Sequence, residues 1–118
     1  MDIAALKEKT AEIVIGPMIE YQQEIEDEGY TREHIDRCQA LIHEYLDALD
    51  ELEEPTDAAI MAQVETLVLA LNDLNEETDY AMIETVEREA IWEVTQEAAV
   101  AAGLQDVPED VTEQWRDW

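Results

Sequence analysis

One apolar stripe constrains the fold of this chain more than any other feature of its sequence. Between residues 35 and 52, apolar side chains recur at intervals of three and four, which places them on one side of an α-helix. The stripe consists of Ile35, Cys38, Ile42, Tyr45, Leu49 and Leu52. Thr31 is a suitable N-cap, and Pro55 disfavours helical geometry at Glu54, so we predict one helix from Thr31 to Glu54.

Glycines, prolines and capping residues divide the rest of the chain into further helical segments. The predicted segments run from Asp2 to a break at Gly16–Pro17, from Pro17 to Gly29, from Thr56 or Asp57 to Leu74, from Thr78 or Asp79 to Gly103, and from Pro108 onward. Gly103 followed by Leu104 is the usual glycine stop with a trailing hydrophobic contact. In the segment before Gly103, the residues predicted to face inward are Ile83, Val86, Ala90, Ile91, Val94 and Ala98.

These segments predict an all-α fold. No stretch alternates apolar and polar residues as a half-buried strand does, and short connections between amphipathic helices favour antiparallel neighbours. With 118 residues, of which 47% are apolar, the chain has enough material for one hydrophobic core. We therefore expect a single domain over residues 1–118, a compact antiparallel bundle of about five helices plus a short C-terminal helix.

The charge is extreme for a domain of this size. There are 32 acidic and 6 basic residues, a net charge of −26, where a small soluble domain typically has a charge of about 2–8 in magnitude. Such a chain repels nucleic acid and anionic membranes and attracts a basic protein. No secretory leader or membrane-spanning run is recognisable, so we expect a cytoplasmic protein.

Carboxylates form rows on the predicted helices. Glu44, Asp47, Glu51 and Glu54 recur at intervals of three, four and three on one side of the predicted 31–54 helix, about 4.5–6 Å apart along its axis. We predict that these four bind a basic protein partner as phosphate surrogates. Two smaller clusters are Glu24, Asp27 and Glu28, and Glu89, Glu93 and Glu97.

Two hypotheses for the function follow. The first is an acidic helical binding protein that neutralises a basic, nucleic-acid-binding partner, as immunity proteins and nucleic-acid mimics do. The second is a cytosolic structural or housekeeping protein whose acidic surface is an adaptation to high salt. Near the C-terminus, Trp115 and Trp118 are expected either to cover the end of the bundle or to anchor a partner, including a second copy in a homodimer.

The sequence does not favour catalysis or metal binding. It contains no serine and no glycine-rich phosphate loop. His34 with Cys38, and His43 with Asp47, each offer two potential metal ligands, which are too few for a site. We expect no enzyme activity, cofactor or metal. Spacings of four also predict the surface ion pairs Glu33–Arg37 and Glu84–Arg88.

Residues 30–104 resemble a family of small uncharacterised bacterial helical proteins, a domain of unknown function. The likeness rests on Leu71-Asn72-Asp73-Leu74, Ile83-Glu84-Thr85, Arg88-Glu89, Ile91 and Ala102-Gly103-Leu104. The resemblance implies a compact helical domain, but no known activity, cofactor or substrate. The chain departs from the family pattern because it lacks phenylalanine and has a more acidic surface.

Overall fold

The computed structural model describes residues 1–24 and 29–118, and this part of the chain contains four helices. Helix α1 is continuous over residues 3–24 and has three parts: α-helical Ile3–Thr10, π-helical Ala11–Ile15 and α-helical Gly16–Glu24. It is followed by α2 (Arg32–Asp50), α3 (Asp57–Glu77) and α4 (Thr85–Ala102). The all-α prediction is confirmed, but the predicted number of helices is not.

The helices form an up-down-up-down bundle. Arg37 near the start of α2 bonds to Glu77 at the end of α3, and Asp57 at the start of α3 bonds to Gln105 just after α4, so consecutive helices run antiparallel. Helices α2 and α4 contact each other, and both also pack against α1 and α3.

The core lies where the apolar sides of the four helices meet. Five residues of the predicted stripe are buried, and Leu52 packs against the core from the turn after α2. The apolar side of α3 is buried as well, through Ile60, Val64, Leu67, Leu71 and Leu74. None of the described helices has the length and apolar character needed to cross a bilayer.

The predicted break at Gly16–Pro17 is wrong. A proline in a regular α-helix clashes with the carbonyl four residues earlier and removes one hydrogen bond. Here the preceding turn is π-helical, and the Gly16 N–H bonds to the Ala11 carbonyl five residues back. A Cβ at Gly16 would lie 3.0 Å from that carbonyl oxygen. The wider turn therefore accommodates Pro17 without ending the helix.

The predicted start of α4 at Thr78 or Asp79 is also wrong. Thr78 belongs to the end of α3, and Asp79 and Tyr80 have positive φ angles of 57° and 63°. The buried Asn75 side chain accepts a hydrogen bond from Ile83 N–H at 2.9 Å, which holds this loop in place. Val86, which was predicted to face inward, lies in the first turn of α4 and is 69% exposed.

The C-terminal segment forms turns in place of the predicted helix. A short helix has few internal bonds to offset the entropy of its first turn. Backbone groups of this segment bond instead to side chains of the bundle: the Asn72 amide donates to the Trp115 carbonyl at 2.8 Å, and Gln96 accepts from Val111 N–H at 3.1 Å. Val111 is buried.

Candidate functional site

The four carboxylates of the predicted binding row are all exposed, but they do not share one helix. Glu44 and Asp47 belong to α2, Glu51 is its C-cap, and Glu54 lies in the turn that leads to α3. The prediction that the helix continues to Glu54 is therefore wrong. The row is a helix side extended by a turn, and its axial spacing is regular only as far as Glu51.

Within the row, Asp47 already has a cationic partner. Lys7 of α1 places its Nζ 3.0 Å from the Asp47 carboxylate. His43 lies one turn earlier, close to Lys7 and Asp47. Burial and the Lys7 charge lower the pKa of His43, and the Asp47 charge acts in the opposite direction. Glu44, Glu51 and Glu54, by contrast, have no cationic side chain within 4 Å in the described part of the chain. These three keep their charge available.

The two lysines of the chain both belong to α1 and reach different neighbours. Lys7 bonds to α2, whereas Lys9 lies 3.3 Å from Glu93 and 2.6 Å from Glu97 on α4. The hydrogen bond with Glu97 is the main cause of the raised pKa of Lys9. The cluster on α4 is thus partly neutralised, while Asp27 and Glu28 of the remaining cluster lie outside the described residues.

Neither of the two predicted arginine ion pairs forms among the described residues. Arg37 forms a two-pronged pair with Glu77 at 3.1 and 2.8 Å, which raises the pKa of Arg37 and lowers that of Glu77. Glu84 is the N-cap of α4, and its N–H donates to the Glu87 side chain at 3.0 Å. Arg88 has no carboxylate within 4 Å among residues 1–24 and 29–118.

A groove between α2 and α3 lies beside Glu44. It consists of two adjoining cavities of about 200 and 340 Å³, both lined by Leu41, Glu44 and Ala70. Towards the α2 C-terminus the lining adds Tyr45, Ala48, Gln63, Thr66 and Leu67, and towards the α2 N-terminus it adds Arg37, Ala40 and Asp73. Sequence reasoning missed this groove. Its signal in the sequence was the small side chains of Ala40, Ala48 and Ala70.

The two terminal tryptophans pack against the core and are half-buried. The Asn72 amide holds the backbone between them, since it donates to the Trp115 carbonyl and accepts from the Asp117 N–H at 3.2 Å. Arg116 donates to the Trp118 carbonyl at 2.7 Å. The indoles thus cover part of the bundle, and a partner contact or homodimer through them stays a prediction.

A second recess of about 390 Å³ separates α4 from the C-terminal segment. Arg88, Trp92 and Arg116 line it together with Glu89, Glu109, Asp110 and Glu113. The Trp92 indole N–H donates to Gln96, and Arg116 Nε lies 3.4 Å from Asp110. Carboxylates outnumber arginines here, so this recess is also acidic.

Cys38 and His34, which were considered as metal ligands, have structural roles in the fold. Cys38 is fully buried, and desolvation raises the pKa of its thiol to about 12. His34 accepts a hydrogen bond from Thr31 N–H at 3.0 Å and so helps to cap α2. Within the described residues, no three His, Cys, Asp or Glu side chains form a group able to hold a metal ion.

Comparison of the chain with protein-family models, with curated protein sequences and with solved structures gives no match in any of the three. The resemblance of residues 30–104 to small bacterial helical proteins stays a prediction. Two of its motif residues have clear structural roles in this chain, since Asn72 fastens the C-terminal segment and Glu84 caps α4.

Proposed function

We propose that this chain is an acidic helical binding protein that neutralises or inhibits a basic protein partner, in the manner of immunity proteins and nucleic-acid mimics. The observation that supports this most is the imbalance of ion pairs. Five of the six basic side chains lie within 4 Å of a carboxylate. Most carboxylates of the described residues therefore have no cationic partner within 4 Å, and none of these Asp and Glu residues is buried.

The face built around α2 is the best candidate for the contact. Glu44, Glu51 and Glu54 are exposed there and have no cationic partner within residues 1–24 and 29–118, and Asp47 adds a fourth carboxylate that pairs with Lys7. A group of exposed carboxylates attracts a basic surface over about a Debye length and accelerates association with it. The partner is then a basic protein, for example a nucleic-acid-binding one, whose basic groove accepts these carboxylates.

The test is a charge reversal with a matched control. The site variant replaces Glu44, Asp47, Glu51 and Glu54 with lysine, and the control replaces four exposed carboxylates of α1, Glu8, Glu12, Glu20 and Glu24. Both have the same net charge. The candidate partners are basic proteins encoded beside the gene of this chain, with core histones as a general reference. Each partner is first bound to labelled duplex DNA, and the displacement of that DNA by the acidic protein is measured.

We expect the wild type and the control to displace DNA, and the site variant to do so at least about tenfold less well, because close charge pairs determine such contacts. Displacement that is the same for all three proteins would remove the proposal. Equal losses in both variants would show an effect of net charge without a defined site.

The second function, a structural or housekeeping protein adapted to salt, is favoured by one observation: exposed carboxylates occur on all four helices and in the turns. Thermal unfolding in dilute buffer and in molar KCl tests it. A fold that melts near room temperature in dilute buffer and recovers in molar salt supports salt adaptation, whereas a melting temperature that barely changes contradicts it.

A further inference from the structure

The α2–α3 groove is an apolar channel on an acidic surface. Tyr45 and Leu67 are buried at its base, and Leu41 forms part of the floor. From Arg37 to Ala48 the channel follows twelve residues of α2, which span about 16 Å or three helical turns. Its length therefore matches a short helix laid along the seam between two helices.

The channel is open because small residues stand where larger ones would close the seam. Ala48 of α2 and Ala70 of α3 line it, and Ala40 borders its other end. Adjacent helices normally fill such positions with interlocking side chains. On the outer flank, Leu69 is 46% exposed, one turn from Asp73, so apolar surface continues beyond the channel itself.

The charges around the channel specify the occupant. Glu44 borders both cavities, and Asp73 borders the cavity towards the α2 N-terminus. Neither carboxylate has a cationic partner within 4 Å in the described chain. Arg37, the cation at the channel end, is already bound by Glu77. An apolar floor between free carboxylates complements a helix that has an apolar side flanked by Lys or Arg.

We infer that this groove receives a basic amphipathic helix of the partner protein, an inference that rests on the proposed function and specifies where and what it binds. A second copy of this chain is a poorer occupant, because each copy has a net charge of −26 and the α2 face of one would meet the acidic surface of the other.

The probe is a labelled peptide of about four helical turns made of leucine and lysine, with leucines at helical spacing on one side. A scrambled peptide of the same composition has the same charge but no apolar side. The groove variant is Ala48→Leu with Ala70→Leu, which fills the channel. Its control is Ala4→Leu with Ala58→Leu, two exposed alanines outside the groove. Binding is measured by fluorescence anisotropy after thermal unfolding has shown that each variant is folded.

The expected result is that the amphipathic peptide binds at least about tenfold more tightly than the scrambled one, and that filling the groove removes at least about tenfold of this affinity while the control keeps it. If the groove variant does not fold, Glu44→Gln with Asp73→Asn takes its place against Glu8→Gln with Glu12→Gln. We expect the first pair of substitutions to weaken binding more than the second.

Three outcomes would overturn the inference. Equal binding of both peptides to all variants would show attraction by charge alone. This outcome would leave the proposed function standing, because the DNA-displacement experiment tests that function separately. Absence of peptide binding in dilute salt contradicts the groove directly. A dimer in sedimentation equilibrium that filling the groove dissociates would assign the groove to a second copy.

Discussion

The Tyr45 hydroxyl links two helices of the bundle across its centre. It donates to the Thr95 carbonyl at 2.7 Å, and both residues are buried. Tyr45→Phe removes the donor and leaves one carbonyl lone pair unsatisfied in an apolar site, so we expect a loss of about 1–2 kcal/mol in the free energy of unfolding. Urea denaturation measures it. The matched control is Tyr80→Phe, whose ring is 52% exposed, and a loss as large there would contradict this explanation.

Asp57 fastens the segment after α4 to the start of α3. Its carboxylate accepts hydrogen bonds from Gln105 and Asp106 N–H, both at 2.9 Å, and these bonds hold its pKa below the ordinary 3.8. A lowered pKa means that the stabilisation is present above the ordinary value and is lost as pH falls through the folded-state pKa.

The Asp57→Asn variant should therefore melt below the wild type at neutral pH, because an amide can accept only one of the two bonds and has no charge. The difference in melting temperature should narrow below pH 3.8. Asp50→Asn, a change at an exposed carboxylate in the last turn of α2, is the control and should not lower the melting temperature at neutral pH. A difference that stays constant over this pH range would contradict the role of the carboxylate.

Among the helical elements, the end of α4 has a well-defined stop. Gly103 has a φ of +116°, its N–H bonds to Val100 O at 3.0 Å, and Leu104 N–H bonds to Ala99 O at 3.1 Å. Any side chain at Gly103 must adopt this left-handed geometry, so Gly103→Ala should destabilise the fold by about 1 kcal/mol. Since Asn tolerates the left-handed region better, Gly103→Asn should cost less in the same urea titration. The reverse order would contradict this account.

How far an element could be predicted from the sequence depended on where its determinants lie. Thr31, Thr56 and Gly103 act locally, through caps and a positive φ, and those three boundaries are confirmed. The role of Pro17 could not be predicted from the proline itself, because it depends on the π-helical form of the preceding turn, Ala11–Ile15. The late start of α4 depends on Asn75, eight residues before the Ile83 N–H that it holds.

The candidate site was predictable in composition but not in arrangement. The exposed carboxylates of α2 follow from helical spacing. The pairing of one carboxylate of the row does not follow from this spacing, because Lys7 reaches Asp47 from a position forty residues earlier in the chain. The groove beside Glu44 likewise needs the seam with α3, which brings Ala48 and Ala70 together.

On the scale of the whole molecule, the charge should govern the rate of encounter. With a net charge of −26, attraction to a basic partner extends over about 10 Å at 0.1 M salt and over about 3 Å at 1 M. We expect the association rate constant to fall by about tenfold or more over this range, while the dissociation rate constant changes much less. Stopped-flow measurements at several salt concentrations separate the two. Insensitivity of association to salt would contradict electrostatic attraction.

The central claim is that a basic partner element binds the face formed by α2 and its seam with α3. An NMR titration of the isotope-labelled protein with the leucine–lysine peptide tests it residue by residue. We expect amide shift changes concentrated in residues 37–51 and 63–73. Changes spread evenly over the exposed carboxylates of all four helices, or concentrated on the far side of the bundle, would contradict it.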